Sequence, residues 1–560
     1  MTSIKIFLTT LLCMFFLSIN AQEYHPPLDS RLLLSGTFGE LRSNHFHTGI
    51  DLKTKGVEGL NIYSIEEGYI TRIKVSSYGY GKAIYINHPD GNTSVYAHLK
   101  SFSTKIDSII KKEHYKKEAF EINYFPAKDE IKVSKGEIIA LSGNSGSSGG
   151  AHLHFEIRNT YSEKPLNPLD FNFKVIDEIA PIIKKLKFTS FENNLSQTHQ
   201  YFNPIKSDNK YNINEVIKIS NKVGVAISTY DLSNDCYNKN GVNFIRMFLD
   251  SSLVYEIKMD KLDFRTNKYI NSHIDFREKK ESKTKYHKCY KSPNNQLSIY
   301  KKLVNNGFIK LKDNKVHKLE LQVGDSYNNV SYMSVNIQLD TLKESDQFIS
   351  DSLDTKFFSW HSENEFKKDN FSLELPKKSL YQSINFKFQT KDSTKGTYGK
   401  IYMCDYDFTP IHKKATISIK YLIKDSLKNK TYIAKVKDGK YSYVGGKWQN
   451  NTLTSKASSL GDFAIVADST LPIIRGVNIY PGKIIKKQKT LKCTIEDKES
   501  GINSYRATLN NKWILLDYDH KTKLIKYDFD NNIIKGKNLF IVLVEDQVGN
   551  QKKYQAEFTY

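Results

Sequence analysis

The sequence predicts a mainly β protein: an antiparallel-sheet domain near the N-terminus, followed by β-sandwich modules. Three observations predict this. His152-Leu-His-Phe-Glu-Ile-Arg158 alternates strictly, so His152, His154, Glu156 and Arg158 share one strand face and Leu153, Phe155 and Ile157 the other. Asp90-Gly91 separates two strand-like runs, Ala83 to Asn87 and Thr93 to Leu99, which reads as a hairpin and hence an antiparallel sheet. Finally, the chain beyond about residue 176 echoes itself. Asp177-Glu-Ile-Ala-Pro181 recurs as Asp468-Ser-Thr-Leu-Pro472, and Asp325-Ser-Tyr-Asn328-Asn329 recurs as Asp546-Gln-Val-Gly549-Asn550.

Residues 1–21 read as a secretory signal peptide. Lys5 supplies the positive start, Ile6 to Ile19 is almost wholly apolar, and Asn20-Ala21-Gln22 offers a cleavage site. About 14 apolar residues are too few to span a bilayer, and Leu12 before Cys13 argues against a lipid anchor. No later stretch is apolar enough to cross a membrane. An exported chain is therefore expected, in the periplasm or at the cell surface. Some 540 remaining residues exceed one hydrophobic core and suit several domains.

The net charge of +22 invites a nucleic-acid reading, but only nine of the 83 basic residues are arginine. The lysines are scattered among acidic residues, so no basic aromatic patch forms and no nucleic-acid partner is expected. Attraction to an anionic polymer such as a cell wall fits the charge. Cys236, Cys289, Cys404 and Cys493 lack metal or redox spacing. The spacing leaves open whether Cys236 and Cys289 pair or all four are isolated thiols.

Residues 22–175 form the first domain. In His47-Thr-Gly-Ile-Asp51 the glycine and β-branched neighbours disfavour a helix, so the segment is read as extended with a bend. Strands follow at Tyr69 to Ile73, Ala83 to Asn87 and Thr93 to Leu99. In the last of these Ser94, Tyr96 and His98 are expected on one face, with Val95, Ala97 and Leu99 in the core. Residues 102–132 interrupt the pattern. Ile106, Ile109 and Ile110 have helical spacing, and lysines follow. We read a short helix and loop inserted beside a groove, with His114 solvated. A strand from Val133 then leads into the turn Gly143 to Gly150, and Asn167-Pro-Leu169 closes the domain.

Beyond it, residues 176–341 and 468–560 read as two immunoglobulin-like modules, because the echoed motifs bracket each one. Gly241-Val242 finds a partner in Gly501-Ile502 after an acidic turn. Residues 342–467 are a further β domain of undefined type. The Asp-Asn turns have Ca²⁺-ligand chemistry but are read as plain turns. His273, His287, His361 and His412 are read as structural or solvated.

One histidine alone is more often a hydrogen-bonded residue than a ligand. Here His47, Asp51, His98, His152 and His154 fall in three short segments, which points to one site. His47-x-x-x-Asp51, His98 and His152-x-His154, preceded by Gly143-Asn-Ser-Gly146, resemble the lysostaphin/LytM-type zinc metallopeptidases of peptidase family M23 over residues 30–172. The resemblance implies that His47, Asp51 and His154 bind Zn²⁺, leaving a fourth position for water. It implies that His98 and His152 transfer protons or stabilise an oxyanion. It also implies hydrolysis of the peptide cross-links of peptidoglycan. Glu156 and Arg158 are expected to support the ligands. The Gly-rich turn is expected to let backbone approach an extended substrate. Two rival readings use the same residues: a non-catalytic wall-binding or hydrolase-activating module, and a protease for Gly-rich proteins.

Overall fold

The computed structural model describes residues 23–193, 196–340, 354–405 and 408–560. The proposed signal peptide lies outside the described residues. The fold is mainly β, with most strand pairs antiparallel. No described helix is long and apolar enough to cross a membrane.

The N-terminal domain is built on a nine-stranded sheet. Its strands are β1 (Leu34–Gly36), β2 (Ile50–Lys53), β4 (Gly68–Val75), β5 (Ala83–Asn87), β6 (Asn92–Ala97), β8 (Ile122–Tyr124), β9 (Lys132–Val133), β11 (His152–Asn159) and β12 (Pro165–Leu166). A smaller sheet joins β3 (Asn61–Tyr63), β7 (Ser101–Phe102) and β10 (Ile138–Leu141). Strand β11 lies between β2 and β6 in the larger sheet. Leu153, Phe155 and Ile157 point into the main core with Ile50, Leu52 and Tyr96. This is the alternation read from the sequence. The opposite face of β11 is also buried, and Ala83, Tyr85, Val95 and Ala97 of the neighbouring strands form a small cluster beside it on that face, with Tyr80 packed against them.

The faces of β6 are the reverse of those expected. In register, Ala97 opposes His154 and Val95 opposes Glu156, whereas Tyr96 opposes Phe155. Directly opposed residues share a face, so Val95 and Ala97 lie on the polar side and Tyr96 in the core. His98 would follow Tyr96 to the core if the strand continued. Instead its backbone is left-handed, at φ 60°, and the strand pattern ends there.

The insertion contains the expected helix, α1 (Thr104–Lys117). Ile106 and Ile110 are buried beneath it. His114 is buried rather than solvated: its Nδ1 donates to the Ala119 carbonyl at 2.8 Å, and its ring stacks on Phe120. The helix ends at Glu118 in a left-handed cap, so the last turn folds back over His114.

Three further cores follow. Sheets of five and seven strands enclose one between Ile182 and Leu339; sheets of six and five strands enclose the next, from Asp354 to Ala467; four and five strands enclose the last, from Ile473 to Thr559. Cys236, Cys289, Cys404 and Cys493 are buried and free.

The cores do not follow the chain strictly. Phe38, Leu41 and Phe46, from the loop that carries His47, belong to the core of residues 183–339. Phe46 is 0% exposed, and its amide donates to Asn267 Oδ1 at 2.7 Å. Burying three such side chains stabilises by about 1.5–3 kcal/mol each. A fragment ending at Phe173 is therefore expected to melt well below the first transition of the full chain. Circular dichroism on both would show it. Coincident midpoints would mean that the loop repacks without its neighbour.

Candidate functional site

The site forms where β2, β11 and the chain just after β6 meet. His154 pairs in register with Asp51 on one side and Ala97 on the other. Gly49 permits this closeness: a Cβ there would stand 2.3 Å from the Phe155 carbonyl oxygen. His47 enters from the preceding loop. His47 Nε2, Asp51 Oδ1 and His154 Nδ1 lie 2.9–3.0 Å from one another, and all three residues are buried.

The other nitrogen of each histidine is fixed by a group that can only accept. His47 Nδ1 donates to the Thr37 carbonyl at 2.8 Å, and His154 Nε2 donates to Glu156 Oε1 at 2.9 Å. In the neutral rings this leaves the lone pairs of His47 Nε2 and His154 Nδ1 facing Asp51 Oδ1. Asp51 Oδ2 is held by Arg42 Nη2 at 2.8 Å. His98 and His152 are fixed the same way. His98 Nδ1 donates to the Ser145 carbonyl at 2.9 Å and His152 Nδ1 to the Gly150 carbonyl at 2.8 Å, so each Nε2 is left to act. Their ring centroids are 4.9 Å apart, and His98 stands 5.8 Å from His154. His152 Nε2 lies 3.5 Å from Asp51 Oδ1. The neighbouring His45 turns away to the Ser43 carbonyl.

Charges at the site oppose burial. Burial disfavours ionised Asp51, but His47, His152 and His154 outweigh it and hold the carboxyl well below its usual range. Burial also disfavours the His154 imidazolium, yet Asp51 and Glu156 carry it up to about 9. His98 goes the other way: burial, then the charges of His154 and His152, push it down to about 3. Glu156 is 0% exposed. Burial works against its charge, and Arg158 and His154 more than offset that. Arg158 Nε donates to Glu156 Oε2 at 2.6 Å, Thr48 donates to Oε1 at 2.6 Å, and the Tyr80 hydroxyl also donates to Oε1.

The glycines of the turn act mainly within the protein. Gly146 has φ +70°, and a Cβ there would meet the Gly81 nitrogen at 2.3 Å. The turn is thus locked against residues 79–82, and only Gly149 and Gly150 border open space. The C-terminal module touches the same turn. Lys521 donates to the carbonyls of Asn144 and, at 3.2 Å, Ser148. Lys82 pairs with Asp517 at 3.0 Å, and Tyr78 packs on His520. Helix α1 docks there as well, through Tyr115 on Trp513 and Glu118 with Arg506.

The structure thus brings together all five residues singled out in the sequence, and His47, Asp51 and His154 can hold one metal ion. Two imidazole nitrogens and a carboxylate oxygen match the donor chemistry of Zn²⁺. Arg42, Thr37 and Tyr80 were not legible: two act across the fold through a side chain and one through its carbonyl. This arrangement is a candidate metal centre.

Residues 45–115 match the model of peptidase family M23, which spans His47, Asp51 and His98. The matched segment lies within the N-terminal domain and ends before His152 and His154. Residues 355–468, within the β domain left undefined by the sequence, match the model of a Zu5-like domain. The DD-carboxypeptidase/endopeptidase Mpg of Neisseria meningitidis serogroup B is 32% identical over 129 residues, 23% of each chain. An uncharacterized metalloprotease of Haemophilus influenzae is 27% identical over 123 residues, 22% of this chain and 20% of the relative. The chain therefore matches about a quarter or less of the length of these relatives. Among solved structures, the catalytic domain of the M23 protein EnpA from Enterococcus faecalis is 25% identical, with TM-score 0.19, covering 26% of this chain and 93% of that one. The lysostaphin catalytic domain from Staphylococcus simulans is 24% identical, with TM-score 0.19, covering 25% and 91%.

Proposed function

We propose that the protein is an exported, zinc-dependent endopeptidase that hydrolyses peptide cross-links of peptidoglycan. The observation that carries this reading is the convergence of three lone pairs, from His47, Asp51 and His154, beside two more histidines whose Nε2 atoms are left to act. Held by these three residues, Zn²⁺ would supply a Lewis acid and lower the pKa of water toward neutrality.

The chain's own groups account for the proton transfers. His98, whose Nδ1 is engaged by the Ser145 carbonyl, has a lone pair at Nε2 that would accept a proton from the attacking water. His152 would stabilise the tetrahedral oxyanion or protonate the leaving amine. Glu156 and Arg158 position His154 rather than touch the substrate. The peptidase assignment is supported by the M23 match and by a Neisseria relative described as a DD-carboxypeptidase/endopeptidase, and a peptidoglycan substrate is what the family resemblance implies; export is supported by the leader-like sequence of residues 1–21.

The rival reading, a wall-binding module that activates another hydrolase, keeps the fold without needing the chemistry. Incubating the purified protein with peptidoglycan, alone and with a second hydrolase, separates the two. Soluble fragments released by the protein alone support an enzyme. Release only in the mixture supports an activator.

The C-terminal module, on this reading, steadies the turn whose carbonyls orient His98 and His152. Exposed charge contacts are worth about 1 kcal/mol or less. Lys521→Ala is therefore expected to lower the cleavage rate roughly two- to fivefold with unchanged metal content. A rate equal to that of the parent would show that the module does not steady the turn.

A further inference from the structure

A second cluster of acidic side chains lies outside the peptidase site. Asp177, Asp231 and Asp325 each offer a carboxylate oxygen within 4.8 Å of the others. Oxygens bound to one ion at about 2.4 Å, the Ca²⁺ distance, are necessarily about 4.8 Å apart or less. A small cavity lined by these three residues, Thr37 and Tyr327 has room for one atom-sized occupant.

The cluster alone would be a set of turns. Two aspartates are partly satisfied: Asp325 Oδ1 accepts the amides of Tyr327 and Asn329, and Asp177 Oδ1 accepts that of Ile179. Asp231 is different. It is 1% exposed, and its Oδ1 has no hydrogen-bond partner. The Tyr327 hydroxyl, on the same cavity, also has none. A buried carboxylate oxygen without a donor costs several kcal/mol unless a proton or a cation meets it. The charges acting on Asp231 are Asp177 and Asp325, which are both acidic, and together with burial they push its carboxyl up to about 9.

We propose that Asp177, Asp231 and Asp325 form a binding site for a hard divalent cation of the Ca²⁺ class. Every ligand atom is oxygen, and no nitrogen or sulfur donor joins the cluster, which selects against Zn²⁺ and other softer ions. The C-terminal module carries a matching triad, Asp468, Asp497 and Asp546. There Asp546 repeats the bonds of Asp325, but Asp497 is satisfied where Asp231 is not. Asp497 Oδ1 accepts the amides of Glu499 and Gly501, and Asp546 Oδ1 those of Val548 and Asn550. That triad serves as the internal control.

The position gives the ion a role. Thr37 lines the cavity, and its hydroxyl exchanges hydrogen bonds with Gly241, donating to the carbonyl at 3.0 Å and accepting from the amide at 2.9 Å. The Thr37 carbonyl also orients His47. The ion would therefore pin the loop that carries His47 to the neighbouring module.

Equilibrium dialysis of the full chain against radiolabelled CaCl₂, with MgCl₂ as competitor, tests the site without any activity readout. The parent protein is expected to take up Ca²⁺ at free concentrations of about 1 mM or below, the range of extracellular modules, and to melt at higher temperature as it does so. Asp231→Asn should lose one equivalent of Ca²⁺ and the accompanying thermal shift, while Asp497→Asn retains both. Asp177→Asn offers a second variant should Asp231→Asn fold poorly. No uptake by the folded parent would mean that Asp231 is simply protonated, and would overturn the proposal. So would Ca²⁺ uptake by Asp231→Asn equal to that of the parent, or complete displacement by equimolar Mg²⁺.

Discussion

Asp51→Ala is expected to abolish both stable zinc binding and peptidoglycan cleavage, whereas His98→Ala is expected to abolish cleavage alone. Asp51 Oδ1 lies within 3.0 Å of both His47 Nε2 and His154 Nδ1, so its removal leaves two imidazoles, a poor site for Zn²⁺. His154→Ala should behave in the same way. His98 and His152 contribute no atom to the converging triad. Their alanine variants should keep about one zinc per chain and lose roughly 10²-fold or more in rate. Elemental analysis beside a rate measurement decides between these roles. Zinc lost from His98→Ala but kept by Asp51→Ala would reverse the assignment. Full activity in His152→Ala would assign all the proton transfer to His98.

Glu156→Gln is the second large effect. Glu156 is wholly enclosed, and its charge faces Arg158, whose side chain is 6% exposed, and His154. Neutralising one member of a buried pair strands the other, at a cost of about 3–5 kcal/mol. The same carboxylate holds the His154 tautomer by accepting from Nε2. Loss of such a support typically weakens metal binding about 10- to 100-fold. We therefore expect a lower unfolding midpoint and weaker zinc retention together. A variant with parental stability and parental zinc affinity would show that the charge of Glu156 is not needed to hold His154.

Much of this site was legible because β-strand periodicity is local. His152 and His154 lie two residues apart on one strand face, and Leu153 and Phe155 fill the core behind them, as their alternation implies. His98 was legible as a site residue but not in its geometry, because a left-handed φ at one position overrides the alternation that would have sent it to the core. His114 was misread because its burial depends on the chain folding back after Glu118. Arg42 and Thr37 carry no periodic signal at all; they reach Asp51 and His47 across a loop. Phe38, Leu41 and Phe46 stand in a polar, Gly-punctuated stretch, so nothing local shows that they complete a neighbour's core. The repeat of Asp177 and Asp325 as Asp468 and Asp546 was visible, but the orphaned oxygen of Asp231 exists only in three dimensions.

The most direct test of the account is mass spectrometry of purified peptidoglycan after incubation with the full-length, zinc-loaded protein. The account predicts that cross-linked fragments are cut at a peptide bond to give products with new amino ends. It also predicts that chelation stops this without unfolding the protein, and that His98→Ala with its zinc retained yields essentially none. A folded parent protein that carries zinc and leaves every cross-linked fragment intact would contradict it.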